Sequence, residues 1–174
     1  MTAASADDII ARAHELSFAA AGVCTPEPTR WEPQLRAWLK AGKHGSMGYL
    51  AEHLDVRLDP AALLNGTRSI LMVADLYASR DDANDPPLPP GHGRIARYTR
   101  GRDYHRVIKK RLHELCDALR AEHPEAGFRA FVDTAPVLER ELAERCGLGW
   151  IGKHTLLIDP DLGSYLLLGG VAMT

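Results

Sequence analysis

The run RSILMVADLY, residues 68–77, is apolar and rich in β-forming residues, so it reads as a buried strand that other elements must cover. SYLLLGGVAMT, residues 164–174, reads the same way and continues to the last residue; a core strand placed there is what a shortened sequence would show. FRAFV (128–132) and TLLI (155–158) add shorter strands. Between them lie helical patterns. Residues 7–21 place Ile9, Ile10, Ala13, Leu16 and Ala20 on one face. A short helix around Leu35, Trp38 and Leu39 is ended by Gly42, and MGYLAEHL (47–54) reads as another. A long amphipathic helix starts near Asp103 and turns Tyr104, Ile108, Leu112, Leu115 and Leu119 inward, and a further helix spans 136–146. The stretch 79–93, rich in proline and acids, is a surface loop. Strands and helices interleave over 174 residues, so the expectation is one α/β (α+β) domain, a mixed sheet flanked by helices.

Several function classes fall away on composition. A net charge of −2 does not announce a nucleic-acid partner, and no apolar run approaches a membrane span. MTAASADDII carries acids where a secretory signal needs basic residues, so a cytoplasmic chain is expected. Cys24, Cys116 and Cys146 are far apart, without metal-ligand spacing, and are expected to be reduced thiols.

The stretch GLGWIGKHTLLI (147–158) nearly fits a phosphate-binding loop. Gly147, Gly152 and Lys153 are correctly spaced, but His154 stands where the magnesium-binding hydroxyl belongs, and Thr155 comes one residue late. The order is also reversed. A phosphate loop leads from strand to helix, and here a helix, with Leu138, Leu142 and Cys146 four apart, leads to a strand. A nucleotide hydrolase is therefore disfavoured. Lys153 reads equally well as an anion ligand or as a partner of the preceding helix's C-terminal dipole.

FVDTAPVLER (131–140) places Asp133 after a strand and before a helix. As an N-cap it would accept from residues two and three on, but Pro136 has no N–H, and only Ala135 remains; Thr134 is an alternative cap through Val137. Asp133 is then either a structural acid or a proton donor facing a cleft at the end of the sheet, its pKa raised by burial. From Arg94 to Arg111, eight Lys/Arg residues are opposed by Asp103 alone. Lys109, Lys110 and Arg111 read as a solvated helix face, whereas RYTRGRDYH (97–105) combines arginines, aromatic rings and Gly101 in a form that holds phosphate or stacks a base. His105 reads as a helix-surface histidine, and Arg57, in DVRLDP, as a surface arginine.

Taken in order, RLDPAALLNGTRSILMVA, ARYTRGRDYHRVIKKRL and FVDTAPVLERELAERCGLGWIGKHTLLIDPDLGSYLLLG resemble the N-terminal half of the epoxyqueuosine reductases. The combination of GRDYH, VD-x-A-P-x-L-E-R and G-x-G-W-x-G-K carries the resemblance. It implies a cobalamin-binding domain similar to reductive dehalogenases and nitroreductase-like folds. It implies an enzyme reducing epoxyqueuosine to queuosine at the wobble position of tRNA, in the cytoplasm, as a monomer. In that family a strand-end aspartate, matching Asp133, supplies the proton. The resemblance further implies cobalamin contacts at Arg57, Thr99, Asp133, Lys153, His154, Leu157 and Leu168, with the glycine loop packed along the flat corrin ring. The family carries Asn in place of His154, which keeps a donor but changes its reach. It also carries two [4Fe–4S] clusters on a following ferredoxin-like domain and helical repeats that grip tRNA. Three scattered cysteines cannot supply those cluster ligands, so the chain is expected to be incomplete alone, the alternative being a non-enzymatic cobalamin- or RNA-binding module from a truncated gene.

Overall fold

The computed structural model describes residues 5–78 and 86–174. Among the described residues are five α-helices: α1 (Ala6–Glu15), α2 (Glu32–Lys40), α3 (Leu54–Leu58), α4 (Tyr104–Glu122) and α5 (Glu139–Arg145). Six strands accompany them: β1 (Ala20–Cys24), β2 (Ser69–Leu76), β3 (Phe128–Phe131), β4 (Trp150–Ile151), β5 (Leu157–Ile158) and β6 (Leu166–Met173). The main sheet has the order β1-β2-β6-β3, and β4 and β5 form a separate two-stranded ribbon. The α+β class is as expected, but the sheet expected to be mixed is antiparallel throughout. Hydrophobic runs reveal that a strand is buried and leave its direction open.

β2 and β6 form the centre and are paired along their full length, from Ser69↔Met173 to Leu76↔Leu166. Successive side chains of a strand point to opposite faces. Leu71, Val73, Val171 and Met173 therefore join a core with Ile9, Ala13 and Phe18 and with Ile108, Leu112, Leu115, Cys116 and Leu119 of α4. Ile70, Met72, Ala74 and Ala172 turn the other way, toward Leu63, Val137, Leu142, Ala143, Leu148 and Leu157. Both faces of the sheet are covered, which is why β2 and β6 read as continuous apolar runs. Each buried leucine of α4 contributes about 2 kcal/mol on burial. Asp103 caps α4 by accepting from the His105 N–H at 3.0 Å.

The remaining differences from the sequence reading have local causes. The helix expected over 7–21 begins with a Ser5–Asp8 capping box and stops after Glu15. Ser17 then takes a φ of 66°, and the chain returns as β1, the edge strand beside β2. AAGVC has weak β propensity, so backbone pairing with β2 outweighs it. MGYLAEHL is not one helix: a 3-10 turn (Gly48–Leu50) and α3 are separated by His53 at a φ of 50°. The helix expected over 136–146 begins only at Glu139, with no side-chain cap on Leu138, so neither Asp133 nor Thr134 is its N-cap. Of the expected surface loop 79–93, residues 79–85 lie outside the described residues, and 86–93 form neither helix nor strand and are exposed. Among the described residues no helix is long and apolar enough to cross a membrane.

The glycine loop connects α5 to the β4–β5 ribbon. Gly147, at a φ of 81°, ends the helix in the left-handed region, and nothing lies within 4 Å of the place its Cβ would take. Gly149, at a φ of 144°, passes so close to β5 that a Cβ would lie 2.0 Å from the Ile158 carbonyl oxygen. Gly149 is thus required by the ribbon's own backbone. Gly149→Ala should lower stability by about 3 kcal/mol, and Gly147→Ala by about 1 kcal/mol. Urea unfolding of the two variants checks this, and equal losses would contradict it.

Candidate active site

β3 delivers the chain to Val132, which is buried, and the next residue turns sharply outward. Asp133 has a φ of 48°, and the Thr134 N–H donates to the Val132 carbonyl at 2.5 Å, closing a turn around it. A left-handed aspartate costs of order 1 kcal/mol and persists only where its surroundings hold it. Three neighbours do so. Glu139 accepts a hydrogen bond from the Asp133 N–H at 2.6 Å. His105 Nε2 lies 3.0 Å from Asp133 Oδ2. The Tyr104 hydroxyl lies near the same carboxylate and feels its charge.

The first turn of α4 supplies two of these three. Asp103 both caps the helix and meets His105 Nδ1 at 2.8 Å. The Tyr104 ring stacks on the His105 ring, with centroids 4.0 Å apart. His105 therefore bridges two carboxylates. Ionised carboxylates only accept, so this placement favours the ring form that donates from both nitrogens. Its pKa is raised above the ordinary histidine value, first by the hydrogen bond to Asp133 and then, against some burial, by Asp103. The Tyr104 hydroxyl is pushed up to about 12, by burial first and then by the Asp133 charge. Glu139 is pushed up to about 7, by burial foremost, with the Asp133 charge adding to it. The acid expected to be buried, Asp133, has a side chain 55% exposed; the carboxyl that burial perturbs is Glu139.

Tyr104, Asp133 and Glu139 line a cleft of about 810 Å³. Its apolar walls come from Leu35 and Trp38 of α2, from Val137, and from Leu157, Leu166 and Leu168; Arg57, Tyr104, Asp133 and Glu139 supply polar groups. The buried Nε of Arg57 has no hydrogen-bond partner, while its terminal nitrogen donates to the Tyr49 carbonyl at 3.3 Å. Glu141, 3% exposed, is satisfied by the Thr29 hydroxyl and the Arg30 N–H.

Of the residues singled out in the sequence, Arg57, Asp133, Leu157 and Leu168 meet in this cleft. Thr99, Lys153 and His154 are exposed and do not line it. The Thr99 hydroxyl donates to the Ala96 carbonyl at 2.7 Å within its own turn. The His154 ring lies over Gly152, and the glycines of the loop leave the cleft wall to Ile151, Thr155, Leu156 and Leu157. Tyr104, His105 and Glu139 were within reach of the sequence, since GRDYH and VLER contain them. Their partnership with Asp133 needs the fold, which brings together residues 28 positions apart. Among the described residues no group of three or more His, Cys, Asp or Glu side chains is placed to hold a metal ion.

The family model for "Epoxyqueuosine reductase QueG, DUF1730" matches residues 57–134. The epoxyqueuosine reductase of Pseudomonas aeruginosa is 44% identical over 156 residues, covering 89% of this chain and 43% of the relative. The crystal structure of an epoxyqueuosine reductase with an epoxyqueuosine-modified tRNA-Tyr stem loop superposes with a TM-score of 0.78 at 27% identity, covering 96% of this chain and 44% of that one. The Bacillus subtilis epoxyqueuosine reductase, in a structure described as having an aspartate-bearing catalytic loop swung out of the active site, gives a TM-score of 0.76 at 26% identity over the same shares. By sequence and by fold, the chain is related to the epoxyqueuosine reductases and spans less than half the length of these relatives.

Proposed function

We propose that this chain supplies the cobalamin-binding cleft and the proton-delivering groups for reduction of epoxyqueuosine to queuosine at the wobble position of tRNA. The observation that carries the reading is the position of Asp133, held in a left-handed turn at the rim of the cleft between the His105 imidazole and a second carboxyl. The relatives bear the name of this activity, one is described with an epoxyqueuosine-modified stem loop and another with an aspartate-bearing catalytic loop.

The residues present fit cobalamin. A corrin is a flat apolar ring edged with amide groups. Leu157, Leu166 and Leu168 offer an apolar wall, and the unpartnered Nε of Arg57 offers a donor to an amide carbonyl. Bound there, cobalamin would supply the electrons at its cobalt. The protein's own part is the protons. Reduction of an epoxide to an alkene consumes two electrons and two protons and releases the oxygen as water. His105 holds one proton against Asp133, and Glu139 holds another near neutral pH. Asp133 lines the cleft, with its carboxylate on His105 and its backbone N–H on Glu139, so it hands protons to the leaving oxygen while His105 resupplies it. Arg102 and Arg106, exposed on either side of Tyr104 in the sequence, add positive charge suited to an RNA backbone.

With cobalamin, a chemical reductant and an epoxyqueuosine-containing stem loop, the chain should form queuosine. Asp133→Asn should slow this by about 100-fold or more while leaving cobalamin binding intact. Wild-type rates in that variant, or loss of all cofactor colour from the wild-type chain on gel filtration, would contradict the reading.

Glu139 gives a pH signature. Its folded pKa of about 7 lies above the ordinary value of 4.5, so between these the native state binds the extra proton. Stability from this group is full below the lower value and falls as pH rises toward the higher one. Glu139→Gln keeps an oxygen to accept from the Asp133 N–H and cannot titrate. Relative to wild type, the variant should gain about 2 kcal/mol between about pH 5 and about pH 8 in urea unfolding. A difference independent of pH would refute the assignment.

A further inference from the structure

The fold brings together two of the three cysteines, which the cleft chemistry does not use. Cys24 ends β1, and Cys146 follows the last turn of α5. They are 122 positions apart in the sequence, and both pack against the same core cluster on one face of the sheet. Their backbones are in close contact as well. A Cβ on Gly22, two residues before Cys24, would lie 2.1 Å from the Cys146 carbonyl oxygen. The Cys146 thiol also donates to the Ile70 carbonyl at 3.6 Å, and Ile70 is the residue paired with Cys24 across the sheet. Neither thiol is fully buried.

We propose that Cys24 and Cys146 form a disulfide site that locks α5 to β1 on oxidation by a peroxide. The reaction balances as two thiols and one hydrogen peroxide giving one disulfide and two waters. The Cys24 thiolate attacks a peroxide oxygen, the O–O bond breaks, and hydroxide leaves and is protonated to water. The Cys146 sulfur, giving up its proton, then attacks the sulfenic sulfur of Cys24, and the second water departs. The division of labour follows from the surroundings of each sulfur. The neighbouring Cys146 thiol lowers the Cys24 pKa, while Cys24 and burial drive Cys146 up, so Cys24 is the nucleophile and Cys146 the resolving thiol. Cys116 is an internal control, being buried in the opposite core with its pKa pushed up to about 11 by burial.

The lock would act on the cleft wall. The segment after β1 is already tied to α5 without covalent bonds, through Thr29 to Glu141, Arg30 to Glu144 and Arg145 to the Glu27 carbonyl. That segment leads to Trp31, and α5 begins with Glu139; both line the cleft. A disulfide at the far end of α5 fixes the two walls against each other.

The test is to expose the folded chain to hydrogen peroxide, alkylate free thiols in denaturant, and map the peptides by mass. The untreated chain should show three alkylated cysteines. After peroxide only Cys116 should be alkylated, with Cys24 and Cys146 in one cross-linked peptide pair, and the chain about 2 Da lighter before alkylation. A dithiol should restore all three. Cys24→Ser and, separately, Cys146→Ser should each abolish the cross-link, with circular dichroism confirming that they fold. Retention of all three thiols, a bridge to Cys116, or bridges only between chains would overturn the proposal. None of these readouts uses cobalamin or tRNA, so the outcome is independent of the proposed function.

Discussion

One imidazole is shared between two carboxylates, and the candidate site depends on that sharing. His105 reaches Asp103 with one nitrogen and Asp133 with the other. Asp103 belongs to the N-terminus of α4, and Asp133 to the turn that leaves β3. The bridge thus joins a helix buried on one face of the sheet to a strand end beside the cleft. Without that imidazole, an exposed left-handed aspartate would have little reason to hold its place. With it, the carboxylate stays within reach of the cleft and of a proton.

The sheet makes this placement possible. β2 and β6 are covered on both faces, by α1 and α4 on one side and by α5 with the β4–β5 ribbon on the other. The cleft opens on the second side, where α5, β5 and the end of β6 meet residues of α2. Because α5 starts only at Glu139, residues 134–138 form an irregular link. Glu139 uses its carboxyl to hold the Asp133 N–H from across that link. A regular helix starting at Pro136 would have left neither the turn nor this contact.

Much of the fold was legible in the sequence. RSILMVADLY and SYLLLGGVAMT became the central strands, and the spacing of Ile108, Leu112, Leu115 and Leu119 became the buried face of α4. What could not be read was pairing. AAGVC becomes a strand because β2 offers it an edge, and its own residues do not announce this. The antiparallel direction of the sheet is equally a property of connections. At the site, the incompatibility of Asp133 with an ordinary N-cap was readable from Pro136, and the exposure of Asp133 was not. Its perturbed neighbour, Glu139, looks in the sequence like any helix glutamate; only the fold shows that it is withdrawn from water. The glycines suggested a shelf for a flat ligand, yet Gly149 serves the close approach of the ribbon to its own backbone. As cobalamin contacts, Thr99, Lys153 and His154 rested on the resemblance, and they lie outside the cleft.

The most direct test is the charge on residue 105. Long-range nitrogen–proton correlation spectra of the imidazole, followed through a pH titration, report its protonation at each nitrogen. The account predicts a doubly protonated His105 ring whose titration midpoint lies above the ordinary histidine value and falls when Asp133 is replaced by Asn. A neutral ring at neutral pH, titrating as a free histidine does and indifferent to residue 133, would contradict it.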